Sequence, residues 1–327
     1  MRIIVSPSGK LYGSENVLFD YLNHSSISFD FIFVPKNSPF KKKLEDNNFT
    51  TNGFGNVKEL YFLVFLKLLT NKIKHFYCNE AGHVRYIVVL ARLFPKVNFV
   101  IHVRILEDSK RISISLKNLQ FVAISQTIQK ALHGSSRLIY DGFHFKESKF
   151  FKPAPLGNCK IGIVGRITSS KGIDLFTQKF LQNCGSKIEL HFYGDIDKEY
   201  EKSVIFQNLI ALKNIHIHGF ISDKNQIYSS IDILLHVNEF EPLGRIFFES
   251  LDFGIPFIGI NKGGIAEIAN QINYPYVFEK DQFAELLSSL TKQEFSFDFL
   301  ILENSRKLVL EVFSIEKYTN QIDRILL

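Results

Sequence analysis

Two carboxylates with seven residues between them, Glu241 and Glu249, stand where the sequence predicts a turn followed by a helix. Pro242 suits the first helical position, and Gly254 supplies a stop, so residues 242 to 253 are predicted to form one helix. Glu241 would then lie at the helix N-terminus, where free N–H groups and the helix dipole favour an anionic or polyhydroxylated ligand. Glu249 would project from a polar face of the same helix.

The same carboxylates also have a simpler interpretation. Glu241 could cap the helix, and Glu249 could pair with Arg245 one turn back, as many helical carboxylates do. The residues that follow make this less attractive, because they predict a short buried strand, a glycine turn at Gly263 and Gly264, and a further helix. Two acidic positions are therefore followed by a strand–turn–helix unit of defined spacing.

This succession resembles glycosyltransferase family 4, whose members are retaining enzymes of the GT-B fold. In that family the segment reads E-x7-E, then a Gly-x-Pro strand, then a Gly-Gly-x-x-Glu turn. The chain has each part, at Glu241 and Glu249, at Gly254 with Pro256, and in the turn that ends at Glu267. The resemblance covers nearly the whole chain and is strongest between positions 161 and 267.

A second chemical feature is the turn Gly165-Arg166 to Lys171-Gly172, which follows a predicted strand. It places two cations beside glycines, which lack side chains and let a ligand approach the backbone closely. This arrangement suits a leaving diphosphate. A dinucleotide fingerprint is excluded, because Gly162 and Gly165 have the wrong spacing and no third glycine follows in register. The resemblance implies that this turn is the family's diphosphate clamp, with Arg166 and Lys171 as catalytic cations.

The resemblance also implies roles for residues of the helix predicted at 242–253 and of the turn before it. Glu241 would accept hydrogen bonds from hydroxyls of the donor sugar, and Glu249 from hydroxyls of the ribose. Backbone N–H groups near Leu243 and Gly244 would hold the sugar and phosphate, and Gly165 would contact the phosphate. These are positioning roles, whereas stabilisation of the departing diphosphate is the main catalytic contribution.

Other candidate positions come from strand ends and turns. Backbone groups of Phe220 and Ile221 would read the nucleotide base. Gly13 and Ser14 open a predicted helix and could approach a phosphate, although a surface loop is equally compatible and Ser14 departs from the family's Gly-Gly or Gly-Ala pair. His102 ends a strand, where ligands bind in open α/β sheets; it is either a structural histidine or, as the family implies, close to the sugar.

Strands alternate with helices in both halves of the chain, a pattern that predicts parallel sheets and an α/β fold. The resemblance implies GT-B, with two Rossmann-like domains facing a central cleft. An acceptor domain is predicted at 1–150 and a nucleotide-sugar domain at 151–313, with the helix at 314–327 crossing back to the first. Residues 144–158, rich in proline, are predicted to link them.

Composition restricts the partners and the compartment. The 327 residues carry a formal net charge of +6 and a pI near 9.0, which favours an anionic partner such as a nucleotide diphosphate, acidic lipid or nucleic acid. No nucleic-acid recognition motif accompanies the charge, so nucleic acid is not a predicted partner. Three cysteines, Cys78, Cys159 and Cys184, favour buried thiols in a reducing compartment. No secretory signal or apolar run of about 20 residues is present, so we expect a cytoplasmic protein that does not span a membrane.

The tripeptide Asp195-Ile196-Asp197 raises the alternative of a metal-dependent transferase. Asp-x-Asp is common by chance, and the cationic turn at Arg166 and Lys171 already supplies charge for a diphosphate. We therefore predict no metal and no cofactor, with the nucleotide sugar as a substrate.

A basic and apolar segment in the first half of the chain bears on the identity of the acceptor. Residues 57 to 73 are predicted to form a helix that ends near Lys72 and Lys74, with lysines 41–43 upstream of it. It is either a core helix with solvated ends or an interfacial helix. Because the family holds its acceptor in the first domain, the second interpretation implies a lipid-linked glycan and a peripheral location on the inner face of the cell membrane.

The resemblance supplies the reaction, which is transfer of a hexose from a nucleotide-diphosphate sugar to a glycan with retention at the anomeric carbon. The expected product is a surface polysaccharide or oligosaccharide. Two alternatives remain: a GT-B sugar-nucleotide epimerase, which needs acid and base groups facing C2, and a catalytically silent nucleotide-sugar-binding protein. The two cations together with Glu241 and Glu249 argue against silence.

Overall fold

The computed structural model describes residues 1–110, 112–133, 135–152, 159–173 and 188–327. The chain divides into two compact units. The first comprises Met1–His144 with Phe313–Leu327, and the second comprises Phe145–Val312. Cys184 and residues 153–158 of the predicted linker lie outside the described residues.

The first unit contains a seven-stranded parallel sheet in the order β3-β2-β1-β4-β5-β6-β7. Its strands are β1 Arg2–Val5, β2 Phe31–Pro35, β3 Asn52–Phe54, β4 His75–Cys78, β5 Asn98–Val103, β6 Leu119–Ala123 and β7 Ser136–Leu138. Its helices are Gly13–His24, Pro39–Asp46, Val57–Thr70, Val84–Leu93, Leu106–Lys110, Gln126–Ala131 and Ile315–Leu326.

The central strands of this sheet are covered on both faces, which explains their continuous apolar sequence. In β4, Phe76, Tyr77 and Cys78 are all fully buried although successive side chains point to opposite faces. The neighbouring Phe99 of β5 is buried in the same way. Burial also raises the pKa of the Cys78 thiol to about 12, so it remains a neutral thiol, as the sequence predicted for a buried cysteine.

The C-terminal helix belongs to the first unit and is fixed there by polar contacts. Ser314 caps it, accepting a hydrogen bond from the N–H of Lys317 at 3.2 Å. Within the helix, the Asp323 carboxylate accepts from Tyr21 Oη at 2.8 Å and from Ser25 Oγ at 2.7 Å. The last residues of the chain therefore complete the first unit.

The second unit contains a six-stranded parallel sheet in the order β10-β9-β8-β11-β12-β13. Its strands are β8 Cys159–Val164, β9 Ile188–Tyr193, β10 Ile215–Gly219, β11 Ile233–His236, β12 Phe257–Ile260 and β13 Val277–Phe278. Its helices are the 3₁₀ turn Ser169–Lys171 and the helices Lys198–Glu201, Val204–Ile210, Lys224–Ser229, Arg245–Asp252, Gly263–Ile272, Phe283–Lys292 and Phe299–Val312.

Both sheets have the doubly wound order of a Rossmann fold, so the predicted α/β class is confirmed. In each sheet the strand order reverses direction at one point, between β1 and β4 in the first unit and between β8 and β11 in the second. Ligands of open α/β sheets bind at the carboxyl ends of the strands at this switch point. The topology therefore selects the loops after these four strands as candidate sites.

One predicted helix boundary was wrong. The helix expected at 242–253 begins only at Arg245, because Gly244 has φ +95°, a left-handed conformation that no helical residue adopts. Pro242 therefore lies in the preceding loop. At the start of the predicted linker, the Asp252 carboxylate accepts the backbone N–H groups of Lys146, Glu147 and Ser148, so these residues pack on the second unit.

The helix predicted at 57–73 ends earlier, at Thr70. It buries one stripe against the sheet and exposes a second apolar stripe, Phe62, Leu66 and Leu69, at helical spacing. Across the described residues, no helix is both long and apolar enough to cross a bilayer.

Candidate functional site

The switch point of the second sheet holds a cluster around the Glu241 carboxylate. Its Oε2 atom lies 2.9 Å from Asn238 Nδ2, which donates to it, and 3.2 Å from Lys171 Nζ. His236 Nε2 lies 3.2 Å from the same oxygen. Lys171 follows β8 and the other three follow or end β11, so the cluster spans the point where the sheet reverses order.

The ionisation of Glu241 is fixed by these contacts. Its side chain is only 18% exposed, and burial alone would raise the pKa of the carboxyl. The hydrogen bond and charge of His236, the charge of Lys171 and the hydrogen bond of Asn238 outweigh burial and lower that pKa well below its usual value. Glu241 is therefore an anion near neutral pH and can only accept hydrogen bonds, as a partner of hydroxyl groups must.

Close backbone packing positions the Glu241 loop. The N–H of Gly264 donates to the Glu241 carbonyl at 2.9 Å, and a Cβ at Gly264 would lie 2.3 Å from the Cα of Leu243. The glycine turn is thus required for the helix Gly263–Ile272 to approach the loop. This gives a physical reason for the Gly-Gly pair that the sequence singled out.

A second glycine brings Lys171 to the cluster. Gly172 has φ +75°, and a Cβ there would lie 2.1 Å from the carbonyl oxygen of Val237. The turn after β8 is therefore packed directly on the residue that follows β11, and this contact carries Lys171 to Glu241. Glycine is needed here for both the left-handed conformation and the close approach.

Arg166, the other predicted catalytic cation, has a different partner. Its side chain is 68% exposed, and Nη2 lies 3.0 Å from Asp197 Oδ2. The other oxygen of Asp197 accepts the N–H groups of Glu199 and Tyr200 and caps their helix. The structure thus joins Lys171 to Glu241 and Arg166 to Asp197, and the Asp-x-Asp carboxylate at 197 serves as a cap and an ion-pair partner.

Glu249 forms a separate contact set on the helix Arg245–Asp252. Its Oε1 accepts from Lys224 Nζ at 2.7 Å, and its Oε2 accepts from Tyr228 Oη at 3.0 Å. The ion pair considered from the sequence, with Arg245 one turn back, is replaced by these contacts with the helix Lys224–Ser229. Glu249 is 18% exposed, so a hydroxyl ligand would have to share it with Lys224.

Other predicted donor contacts are backbone groups. In the described part of the chain, the N–H groups of Leu243 and Gly244 have no hydrogen-bond acceptor. Such N–H groups beside a helix start can donate to an anion or a sugar oxygen. Gly165 has φ +127°, and no atom lies within 4 Å of the position that a Cβ would take there. In a neighbouring turn, the carbonyl of Gly219 accepts the N–H of Gly194. The ring of Phe220, the next residue, is 65% exposed. Ile221 follows in the same turn.

In the first unit, the predicted phosphate contact at Gly13 and Ser14 lies beside two carboxylates. Ser14 Oγ is 2.7 Å from Glu80 Oε1 and 3.1 Å from Glu15 Oε2, across the switch point of the first sheet. Burial raises the pKa of Glu80, and the neighbouring Glu15 raises it further. An acidic surrounding favours sugar hydroxyls over phosphate, and the phosphate contact of Gly13 and Ser14 stays a prediction.

His102 is fully buried in β5. Its Nδ1 lies 2.7 Å from Tyr77 Oη, and its ring stacks on Tyr318 of the C-terminal helix with ring centroids 6.1 Å apart. Burial and the nearby Arg104 lower the pKa of His102 well below its usual value, so it is neutral. The side chain supports the docking of the C-terminal helix, and its contact with a sugar stays a prediction.

Sequence reasoning missed four residues of these clusters: His236, Asn238, Lys224 and Tyr228. His236 and Asn238 could have been found, because polar residues at the end of a buried parallel strand lie where ligands bind. Lys224 and Tyr228 belong to a helix remote in sequence from Glu249, and their contacts follow only from the packing of the two helices.

The family can be stated from a direct comparison. The model of the family Glycosyl transferases group 1 matches residues 144–326, more than half of the chain. The chain therefore belongs to the glycosyl transferases group 1.

Curated relatives match over part of their length. An uncharacterized glycosyltransferase of Methanocaldococcus jannaschii is 26% identical over 159 residues, 46% of this chain and 40% of that protein. The capsular polysaccharide biosynthesis glycosyltransferase CapM of Staphylococcus aureus is 27% identical over 165 residues, 48% of this chain and 43% of CapM. The matched segments thus span less than half of these relatives.

Solved structures match over the full chain. HepE of Anabaena, solved in complex with UDP-glucose, aligns with a TM-score of 0.79 and 19% identity, covering 100% of this chain and 99% of HepE. The lipopolysaccharide outer core galactosyltransferase WaaB aligns with a TM-score of 0.76 and 15% identity, covering 100% and 99%. At these identities the likeness concerns the fold, which is that of GT-B glycosyltransferases.

Proposed function

We propose that this protein is a retaining, metal-independent hexosyltransferase that transfers a sugar from a nucleotide-diphosphate sugar to a glycan acceptor. It would belong to the subset of its family resembling glycosyltransferase family 4. The observation that carries the proposal is the Glu241 cluster, an ionised carboxylate joined to Lys171 across the switch point of the second sheet. Hydroxyl-binding and phosphate-binding groups thereby share the position where α/β sheets hold nucleotides.

In the proposed reaction, Lys171 and Arg166 stabilise the diphosphate as negative charge develops on it. Lys171 already contacts Glu241, so a bound donor would divide this ammonium group between the carboxylate and a phosphate oxygen. The free N–H groups of Leu243 and Gly244 add donors for the same anion, and preorganised donors of this kind act without solvent reorganisation. Glu241 then orients the donor sugar through its hydroxyls.

The donor is proposed to be a UDP-sugar. HepE, whose fold covers this whole chain, was solved with UDP and with UDP-glucose. Phe220 offers an exposed ring in the turn proposed to read the base, and aromatic rings stack on nucleobases. Glu249, with its oxygens held by Lys224 and Tyr228, would accept from the ribose hydroxyls.

The acceptor is proposed to be a lipid-linked glycan, with the protein placed peripherally on the inner, cytoplasmic face of the cell membrane. The support is the exposed apolar stripe of the helix Val57–Thr70, where Phe62 is 61% and Leu69 is 58% exposed. Exposed Lys72 and Lys74 follow the helix and suit an anionic surface. A role in polysaccharide or oligosaccharide synthesis agrees with the similarity to CapM, a capsular polysaccharide biosynthesis glycosyltransferase.

A binding experiment tests the roles of the two carboxylates. Glu249→Gln should lower the affinities for UDP and for UDP-glucose by similar factors, because both ligands contain the ribose that Glu249 is proposed to contact. Glu241→Gln should lower the affinity for UDP-glucose but not the affinity for UDP, because Glu241 is proposed to contact the sugar, which UDP lacks. Calorimetric titration of both ligands into both variants measures this, with Glu267→Gln on the following helix as the matched control. Equal UDP affinity in all three variants would remove Glu249 from the ribose.

A further inference from the structure

A second polar cluster lies on one face of the second sheet at its β10 edge. Glu189 and His191 are two residues apart in β9, so their side chains share a face. His216 of β10 is paired in register with His191, and His218 follows two residues later. None of these side chains takes part in the Glu241 or Glu249 contacts described above.

The ligand-type atoms of this cluster converge. Glu189 Oε2 lies 3.3 Å from His191 Nε2 and 3.9 Å from His216 Nε2, so one carboxylate oxygen faces both imidazoles. Zinc held by bonds of about 2.0–2.1 Å places tetrahedral ligand atoms about 3.4 Å apart. The distance from Glu189 to His191 is close to that value, and the distance from Glu189 to His216 would have to shorten by about half an ångström.

The remaining nitrogen of His191 is also fixed. His191 Nδ1 lies 3.0 Å from His218 Nε2, and the two rings are nearly parallel, with an interplanar angle of 7°. A histidine that binds a metal through one ring nitrogen typically donates the other N–H to a neighbouring acceptor, which fixes its orientation. His218 supplies that acceptor.

Solvent exposure increases from His191 through Glu189 to His216, so the cluster is closed on one side and open to solvent on the other, as an open metal site requires. His191 is 8% exposed, the Glu189 side chain is 24% exposed, and the His216 side chain is 39% exposed. The inner ligand is held rigidly by the sheet, while the outer side gives a cation access and leaves room for water as a fourth ligand. Imidazole and carboxylate together suit zinc.

We propose that Glu189, His191 and His216 bind one Zn²⁺ ion, with His218 orienting His191. The ion would join β9 to the edge strand β10 just before the turn where the Gly194 N–H meets the Gly219 carbonyl. It is separate from sugar transfer, for which we propose no metal. Its consequence is a more stable sheet edge beneath the turn that carries Phe220.

A second group of similar residue types provides an internal control. His24, His144 and Glu316 of the first unit also bring ligand atoms together, but His24 and Glu316 lie at helix ends and are exposed. No strand register fixes these three residues, so we expect weaker metal binding there. His144→Ala therefore tests specificity without touching the sheet.

The experiment uses tag-free, chelator-treated protein titrated with Co²⁺ as a spectroscopic probe, then with Zn²⁺ in competition. Wild type should bind one Co²⁺ with the intense visible absorption of tetrahedral coordination, and one Zn²⁺ should displace it. Glu189→Gln and His216→Ala should abolish the band, and His218→Ala should weaken affinity about 10-fold or more. His144→Ala should leave it unchanged. His216 is partly exposed, so its variant tests binding without disrupting the core.

Thermal unfolding gives an independent readout. Excess Zn²⁺ should raise the Tm of wild type and of His144→Ala but leave that of His216→Ala unchanged. The proposal is overturned if wild type shows neither the Co²⁺ band nor a Zn²⁺-dependent Tm, since the cluster is then a hydrogen-bonded chain from His218 through His191 to Glu189. Retention of the band in both Glu189→Gln and His216→Ala would also overturn it.

Discussion

At the scale of single residues, charge compensation around Glu241 decides what the site can do. The carboxylate is held as an anion by Lys171, His236 and Asn238, although it is largely buried. Because each partner contributes to one shared oxygen, removal of any one leaves a buried charge less well compensated, a change that typically costs more than the contact itself contributes.

The two cations should act mainly on developing charge. Lys171→Ala or Arg166→Ala is expected to lower kcat by about 10²-fold or more, since the loss of one preorganised donor has an effect of this size. Lys171→Ala should also weaken binding of the donor, because the negative charge of Glu241 would then repel the diphosphate without compensation. Steady-state kinetics with the exposed Lys213→Ala as control measures both effects. Turnover of both variants within a few-fold of wild type would exclude them as the diphosphate clamp.

At the scale of elements, glycine contacts set the position of the two loops at the switch point of the second sheet. Gly172 packs on Val237, and Gly264 packs on Leu243, so both loops at the switch point are held by backbone approaches that a side chain would block. The sequence predicted the glycine turns, but it could not predict that their role is to bring Lys171 and Glu241 together.

Gly264→Ala tests this role. Alanine would add about 1 kcal/mol of helix propensity, but its Cβ meets the Leu243 backbone at 2.3 Å, and overpacking typically costs about 1–3 kcal/mol. We expect a lower Tm and weaker UDP-glucose binding, because the Glu241 loop must move. Gly82→Ala in the first unit, where no atom lies within 4 Å of the new Cβ, is the control. A Gly264→Ala protein with wild-type affinity and Tm would show that the contact does not position the loop.

The helix Val57–Thr70 carries the prediction about membranes. Phe62→Ser with Leu69→Ser should reduce co-sedimentation with anionic liposomes at least about tenfold, since each buried apolar side chain contributes about 1.5–3 kcal/mol. Leu300→Ser, at a 77% exposed position of the second unit, is the matched control. Unchanged binding of the double variant, or no binding of wild type at low salt, would leave the stripe without a membrane role.

The structure also refines which lysines could meet lipid. Lys43 donates to Asn16 at 3.0 Å and lies 4.2 Å from the ring centre of Phe19, and Lys41 pairs with Glu45. The lysine run expected to face a membrane is thus partly engaged within the first unit. Lys72 and Lys74, both exposed, are better candidates.

At the scale of the whole molecule, the alternation of strands and helices was sufficient to predict two parallel-sheet units. A short continuous apolar run between turn residues predicts a buried strand, whereas a longer amphipathic pattern predicts a helix. The predicted residues Glu241 and Lys171 meet in the structure because they follow β11 and β8, which are neighbours in the sheet. Arg166 and Glu249 have partners, Asp197 and Lys224, that only tertiary packing reveals.

Boundaries were less predictable than elements. The start of the helix at Arg245 depends on the left-handed Gly244, and the end of the first unit depends on Asp252 accepting three N–H groups from the chain after His144. Both are local hydrogen-bond and backbone effects that a periodic pattern does not contain. The placement of His102 inside the core likewise follows from the stacking of the C-terminal helix through Tyr318.

The most direct test of the central claim is turnover of a nucleotide sugar by the purified protein. With UDP-glucose and a lipid extract as acceptor source, we predict acceptor-dependent release of UDP in the presence of EDTA and a new glycoside with the anomeric configuration of the donor. Lys171→Ala should reduce that release about 10²-fold. The absence of release from any nucleotide sugar tested, or formation of free or epimerised sugar in place of a glycoside, would contradict the account.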